Sequence, residues 1–476
     1  MASDLIGRIK EQAILNQCYA SDKAELVAVY GRWRVGKTFL VKTLFKDQIT
    51  FYTTGIYEGT KKEQLAFFHK QLVECTQVAY PLVDNWFDAF DQLKHFIIHT
   101  DKERVLLFFD ELPWMDTPRS RFLKAFELFW NSWAADQPKV KLIVCGSATT
   151  WMISHLLGDK GGLHNRVTRR IKLSPFNLAE VKAFIKAKGI EWNDHQIAEL
   201  YMIMGGTPYY LQMLQKGLSL SQNIDELFFA ENAELREEYG FLFRSLFKNA
   251  SLYRNVIELL SKKAKGMTRI EIIQATKTPE GGMLSNVLED LCHCDFIRKY
   301  AAFGKKERDA LYQLTDLFSL FYLRFVKNSQ GRDEHLWTNM IDSPVRRAWS
   351  GYAFEQLCLH HIPQIKHKLG IAGVQSDVCS WNTVANDEHK GAQIDLLIDR
   401  RDQVINLCEM KFSTGPYHLT KAYCEQMMAR KELFRAISKT KKALHLTLIT
   451  TYGLQPNLYA GEIQSEVMLA DLFQSV

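Results

Sequence analysis

GRWRVGKT, residues 31–38, stands between the apolar run AELVAVY (Ala24–Tyr30) and a helix-forming stretch that starts at Phe39. Glycines at Gly31 and Gly36 let successive backbone amides turn inward and surround an anion. Arg32, Trp33, Arg34 and Val35 supply the amides between them. Lys37 is placed to reach the β- and γ-phosphates of a nucleotide, and the Thr38 hydroxyl to ligate Mg²⁺. A helix beginning here aims its positive end at the phosphates. The spacing GxxxxGKT, after a strand and before a helix, therefore predicts a phosphate-binding loop, with ATP and Mg²⁺ as cofactors.

Working outward, Ile49–Ile56, Arg104–Asp110 and Val140–Gly146 read as further buried strands, and Thr168–Leu173 as a fifth. Apolar strands separated by helices imply a parallel sheet covered on both faces. RVLLFFDE ends its strand in Asp110 and Glu111. The first acid suits Mg²⁺, and the second can act as general base on the attacking water. KLIVCGS ends in Ser147, expected between the acid pair and the γ-phosphate. Phosphoryl transfer also needs a cation for developing charge. Arg166, Arg169 and Arg170 lie just beyond, and Arg166 is the expected one, acting within its own chain or across to a neighbouring subunit of a homo-oligomer.

The bulk numbers bound this reading. With 476 residues, 47% hydrophobic content and a net charge of +6, the chain is expected to be globular, with several domains and room for a nucleic-acid partner. No apolar run approaches the ~20 residues a membrane helix needs. MASDLIGRIKEQ lacks an apolar signal region, so a cytoplasmic location is the expectation. Nine scattered cysteines read as free thiols, since Cys292 and Cys294 around His293 do not make a zinc spacing.

Four segments are expected: a nucleotide-binding core at 1–175, a helical lid at 176–245, a winged helix at 246–328 and a mixed α/β domain at 345–476. In the third, Met283–Leu291 is the candidate recognition helix. It carries Glu289 and Asp290 and only Asn286 as a base-reading side chain. Gly304–Arg308 is the candidate basic wing. In the fourth, Asp395 precedes a turn, and VINLCEMKF follows with Glu409 and Lys411 two residues apart on one face of a strand. A hairpin would bring Asp395 beside them, forming a carboxylate–lysine set able to hold Mg²⁺ for phosphodiester chemistry.

GRWRVGKT, LLFFDELPWM and LIVCGSATTWM together resemble the archaeal-type ATPase family, relatives of the AAA+ and STAND ATPases. IGRIKEQ, with Gly7, Arg8 and Glu11, resembles that family's GRxxE box near the base and ribose. GGTPYYL resembles its lid motif and implies that Pro208 lies near the adenine. D-x₁₃-ExK resembles the PD-(D/E)xK nuclease superfamily without its leading proline. The resemblance implies that Glu355, in GYAFE, joins the metal ligands, with Gln426 as a further polar member. The implied fold is α/β and multidomain: a parallel-sheet P-loop ATPase with lid, winged helix and a restriction-endonuclease-like C-terminal domain. The implied function is ATP binding and hydrolysis coupled to a nuclease-like domain acting on DNA. The alternative is a STAND-like switch that binds a partner or DNA without cutting.

Overall fold

The computed structural model describes residues 5–158, 162–163, 165–247, 249–277, 282–305, 309–329, 333–385 and 390–475. Contacts divide the chain into two units, Met1–Ser174 with Ser245–Lys248, and Pro175–Arg244 with Asn249–Val476.

The first unit is built on strands β1 (Glu25–Tyr30), β2 (Ile49–Thr54), β3 (Val105–Asp110), β4 (Val140–Gly146) and β5 (Arg169–Lys172). Their order is β2-β3-β4-β1-β5, and every pairing is parallel. Alternate residues explain why both faces must be covered. Leu26, Ala28, Leu107, Phe109, Leu142 and Val144 pack with Phe68, Trp86, Phe90 and Phe126 from helices on one side. Val27, Val29, Leu106, Phe108, Ile143 and Cys145 pack with Leu15, Leu40 and Val41 from helices on the other. Each large side chain so buried contributes about 1.5–3 kcal/mol. β5 is shorter than the sequence suggests. It is the edge strand, and exposed Arg169, Arg170 and Lys172 alternate with buried Ile171. Charges on an edge discourage pairing with another sheet.

The second unit knits together segments expected to be separate. It holds β6 (Met267–Thr268), β7 (Ile297–Tyr300) and β8 (Leu311–Leu314) in the antiparallel order β6-β8-β7; helix Ala250–Ser261 precedes β6, and helices Arg269–Thr276 and Gly282–His293 lie between β6 and β7. Residues 306–308 of the candidate wing lie outside the described residues. It also holds β9 (Ser376–Thr383), β10 (Ala392–Arg400), β11 (Val404–Lys411), β12 (Ala443–Thr450) and β13 (Ser465–Met468), ordered β13-β12-β11-β10-β9. β9, β10 and β11 are antiparallel neighbours, whereas β11, β12 and β13 run parallel. Helix Pro344–His360 packs against β11, and helix Lys421–Ser438 contributes Cys424, Met427 and Phe434 to the core beneath β9–β12.

Polar contacts between distant segments tie this unit together. Asp225 accepts from the Trp337 and Thr338 amides and the Thr338 hydroxyl. Arg346 pairs with Glu199 and stacks over Trp337. The His195 ring stacks on Phe412, with centroids 4.7 Å apart. The Leu178 amide donates to buried His361 at 3.0 Å. These contacts link segments far apart along the chain. Among the described residues no helix is long and apolar enough to cross a membrane.

Candidate nucleotide site and C-terminal carboxylate cluster

The loop at 31–38 follows β1 at the carboxyl edge of the first sheet. Parallel β1 and β4 end level, Tyr30 beside Gly146, so Ser147 lies next to the start of the loop. Gly31 is required by a close approach: a Cβ there would stand 2.2 Å from the Leu173 carbonyl oxygen. Gly36 has φ 90° at the start of helix Lys37–Leu44, a conformation glycine adopts without a steric cost. Arg34 also takes a left-handed conformation, φ 68°. Val35 is buried, Trp33 is half-buried, and Phe39 stands exposed in the first helical turn.

Lys37 is buried, and its ammonium donates to the loop's own carbonyls, Gly31 at 2.9 Å and Arg32 at 3.0 Å. The Thr38 hydroxyl donates to Asp110 at 2.8 Å. These are two hard oxygen donors side by side beneath a helix N-terminus, a set that fits Mg²⁺. Burial raises the Asp110 pKa; the Thr38 hydrogen bond opposes this and the Glu111 charge adds to it. Glu111 adopts a left-handed backbone, φ 44°, as the chain leaves β3. Its carboxylate accepts from Ser147, 2.7 Å from the hydroxyl and 3.2 Å from the amide. The hydroxyl, the two acids and the strand-end serine thus form one connected line.

Gly7 and Arg8 both have positive φ, and buried Arg8 donates to the Val35 carbonyl at 3.3 Å, tying the GRxxE stretch to the phosphate loop. Pro208 belongs to the second unit, where it opens helix Pro208–Gln212. Neighbouring Gly206 is needed because a Cβ would meet the Phe176 carbonyl at 1.8 Å.

Exposed Arg166 precedes β5, whose Arg169 is level with Val27 and whose Thr168 bonds Leu26. It lies toward the amino edge of the sheet, and six residues of strand span roughly 20 Å. Arg169 and Arg170 sit beside Val27 and Ala28, also short of the carboxyl edge.

Residues 5–214 match the model of a family described as an ATPase domain predominantly from Archaea. This stretch is an archaeal-type ATPase domain. Along more of its length the chain is 23% identical to the uncharacterized protein MJECL04 of Methanocaldococcus jannaschii, over 86% of this chain and 87% of that one. Among solved structures it is similar to the Walker-type ATPase PABY2304 of Pyrococcus abyssi, at 17% identity and TM-score 0.48, over 67% of this chain and 96% of that one. It is also similar to the ORC2 protein of Aeropyrum pernix, at 13% identity and TM-score 0.43, over 71% and 96%. The C-terminal carboxylate cluster lies beyond the matched residues 5–214, in the second unit.

There, β10 and β11 form the expected hairpin, with Leu396 opposite Cys408. However, β10 shifts register between Ile394 and Leu397, which breaks the alternation of its side chains. Asp395 consequently opens onto a hollow with Glu355, Gln356 and Gln393, whereas Glu409 lines a different one with Met427 and Arg430. The groups still feel one another. Burial, reinforced by Asp395 and Glu409 and offset by Lys411, pushes Glu355 up to about 8. Burial also raises Asp395. Burial would raise Glu409 as well, but Lys411 and Arg430 outweigh it and hold it low.

Glu409 is engaged on both oxygens: by Lys411 at 2.8 Å and the Tyr423 hydroxyl on one, and by Arg430 at 2.9 Å on the other. Among the described residues, no three His, Cys, Asp or Glu are grouped to hold a metal ion. The set in this arrangement therefore does not fit Mg²⁺. Gln426 is exposed, and Tyr423 and Arg430 are the polar residues that helix Lys421–Ser438 presents to the site. Their seven-residue spacing, two turns on one face, was the available signal.

Proposed function

We propose that the chain binds and hydrolyses ATP at residues 31–38 and uses the cycle to control a second unit that engages DNA. The carrying observation is the connected line Thr38–Asp110–Glu111–Ser147 beside the loop. Lys37 exchanges its loop carbonyls for phosphate oxygens when nucleotide enters. Ser147 fixes the Glu111 carboxylate, which accepts the proton of the attacking water. Thr38 and Asp110 would hold Mg²⁺, which when bound neutralises charge on the β- and γ-phosphate oxygens. Gly7 and Arg8 lie at the base and ribose by likeness to the family. The position of Arg166 toward the other sheet edge favours its use on a neighbouring subunit's nucleotide within a homo-oligomer.

In the second unit, a helix, a short strand, two helices and a two-stranded hairpin follow one another in the order of a winged helix. The outer face of helix Gly282–His293 offers Met283, Asn286 and Glu289, while Asp290 turns inward to the Tyr253 hydroxyl. A face without lysine or arginine suits a scaffold better than a reader of bases. The run of antiparallel then parallel strands β9–β13, with a helix against β11, supports a restriction-endonuclease-like domain. The full engagement of Glu409 favours a domain that binds in response to nucleotide over one that cuts.

The cutting reading rests on Glu355, Asp395, Glu409 and Lys411, whose charges act on one another although Asp395 and Glu409 line different hollows. One experiment separates the two. Supercoiled plasmid is incubated with the chain, ATP and Mg²⁺, alongside Asp395→Ala and Lys411→Ala. Nicking that both variants lose, with ATP hydrolysis intact, establishes the nuclease. Nucleotide-dependent DNA binding without nicking establishes a DNA-binding switch, and absence of any DNA binding rejects the nuclease and leaves only a switch that binds another partner.

A further inference from the structure

We propose that the Arg430 guanidinium is the resident cation of the C-terminal carboxylate site, and that a divalent metal binds at Glu409 only when Arg430 is withdrawn. The inference rests on the nuclease-like reading of β9–β13 and explains why its carboxylates do not form a metal cage. One nitrogen of Arg430 lies 2.9 Å from Glu409 Oε2 and 3.2 Å from the Gln393 backbone oxygen. The other lies 3.4 Å from the Tyr423 hydroxyl. The Gln393 side chain in turn donates to Asp395. Arg430 thus bridges one carboxylate and a backbone carbonyl directly, and reaches the second carboxylate through Gln393. A carboxylate plus a carbonyl is a hard-oxygen pair of the kind Mg²⁺ takes.

The placement is fixed by the fold. Cys424, Met427 and Phe434 seat helix Lys421–Ser438 in the core, so Arg430 is projected from a rigid element. Lys411 holds the other Glu409 oxygen, so two cations already face one carboxylate. A dication arriving there meets like charge and lacks free ligands. Withdrawal of the guanidinium frees Glu409 Oε2 and the Gln393 carbonyl together.

The test uses the full chain with Thr38→Ala and Asp110→Asn, which silence metal binding at the phosphate loop, and free Mn²⁺ as the probe, counted by electron paramagnetic resonance. The expected result is no tightly bound Mn²⁺ in this background. Addition of Arg430→Met, which keeps the packing of the arm, gains one Mn²⁺ per chain, and Glu409→Gln abolishes the gain. Arg430→Lys, which keeps a cation, behaves like the background. Two results overturn the proposal: a background chain that already binds Mn²⁺ through Glu409, or a folded Arg430→Met chain, and likewise Arg430→Ala, that binds none. No DNA is present, so a chain that gains Mn²⁺ yet never nicks plasmid removes the cutting reading and leaves this one standing.

Discussion

Ser147 shows how one residue ties recognition to chemistry. Its hydroxyl and amide both donate to Glu111, whose backbone is already held in a left-handed turn at the end of β3. A hydrogen bond to a charged group contributes about 1.5–3 kcal/mol. Ser147→Ala is therefore expected to slow ATP turnover by roughly ten- to a hundred-fold, with ATP affinity unchanged because no phosphate ligand is removed. Turnover against equilibrium nucleotide binding checks this, and an equal loss in both would place Ser147 in binding instead. The acid pair, the lysine and the threonine were legible as residues because their chemistry depends on type and spacing. The serine's partner was not, since sequence places it near the acids without saying which one it holds.

Among elements, β1 and the loop after it depend on how closely the chain end of β5 approaches. Gly31 lies against the Leu173 carbonyl, and Leu173 donates back to Tyr30 at 2.7 Å. Gly31→Ala forces that strand end outward, an overpacking cost of about 1–3 kcal/mol. The expected outcome is a lower thermal midpoint and weakened ATP binding, read by calorimetry; wild-type affinity would show that the loop tolerates the shift. The strands of the first sheet could be read from their apolar runs because both faces are buried. The parallel order could not, because it is set by crossovers rather than by local pattern. In the second unit, the hairpin of β10 and β11 was legible from its turn and alternation. The register shift between Ile394 and Leu397 leaves no mark in composition, yet it decides which hollow Asp395 enters.

At the scale of the molecule, the second unit is held by buried polar contacts between residues more than a hundred positions apart, such as Asp225 with Trp337 and Leu178 with His361. Such pairs carry no sequence signal, because each partner is fixed by the fold and not by local pattern. His361 is fully buried and accepts from the Leu178 amide, so its other nitrogen carries the proton and donates to Leu357 at 2.8 Å. Burial lowers its pKa from 6.5 to about 4. The unfolded chain therefore takes up this proton first as pH falls. The stability from keeping the ring neutral is complete above about pH 6.5 and is lost toward pH 4, on the order of 3 kcal/mol. His361→Gln, which keeps an acceptor and a donor but cannot titrate, is expected to flatten this part of the pH dependence of the guanidinium midpoint. An unchanged slope would assign the acid sensitivity to other groups.

Single-turnover hydrolysis of radiolabelled ATP by the wild-type chain and Glu111→Gln tests the account most directly. The wild type is expected to release phosphate. The variant should bind ATP equally well and release it about 10²–10⁴-fold more slowly, the contribution of a positioned general base. Hydrolysis at the wild-type rate by Glu111→Gln, or none by the wild type, would contradict it.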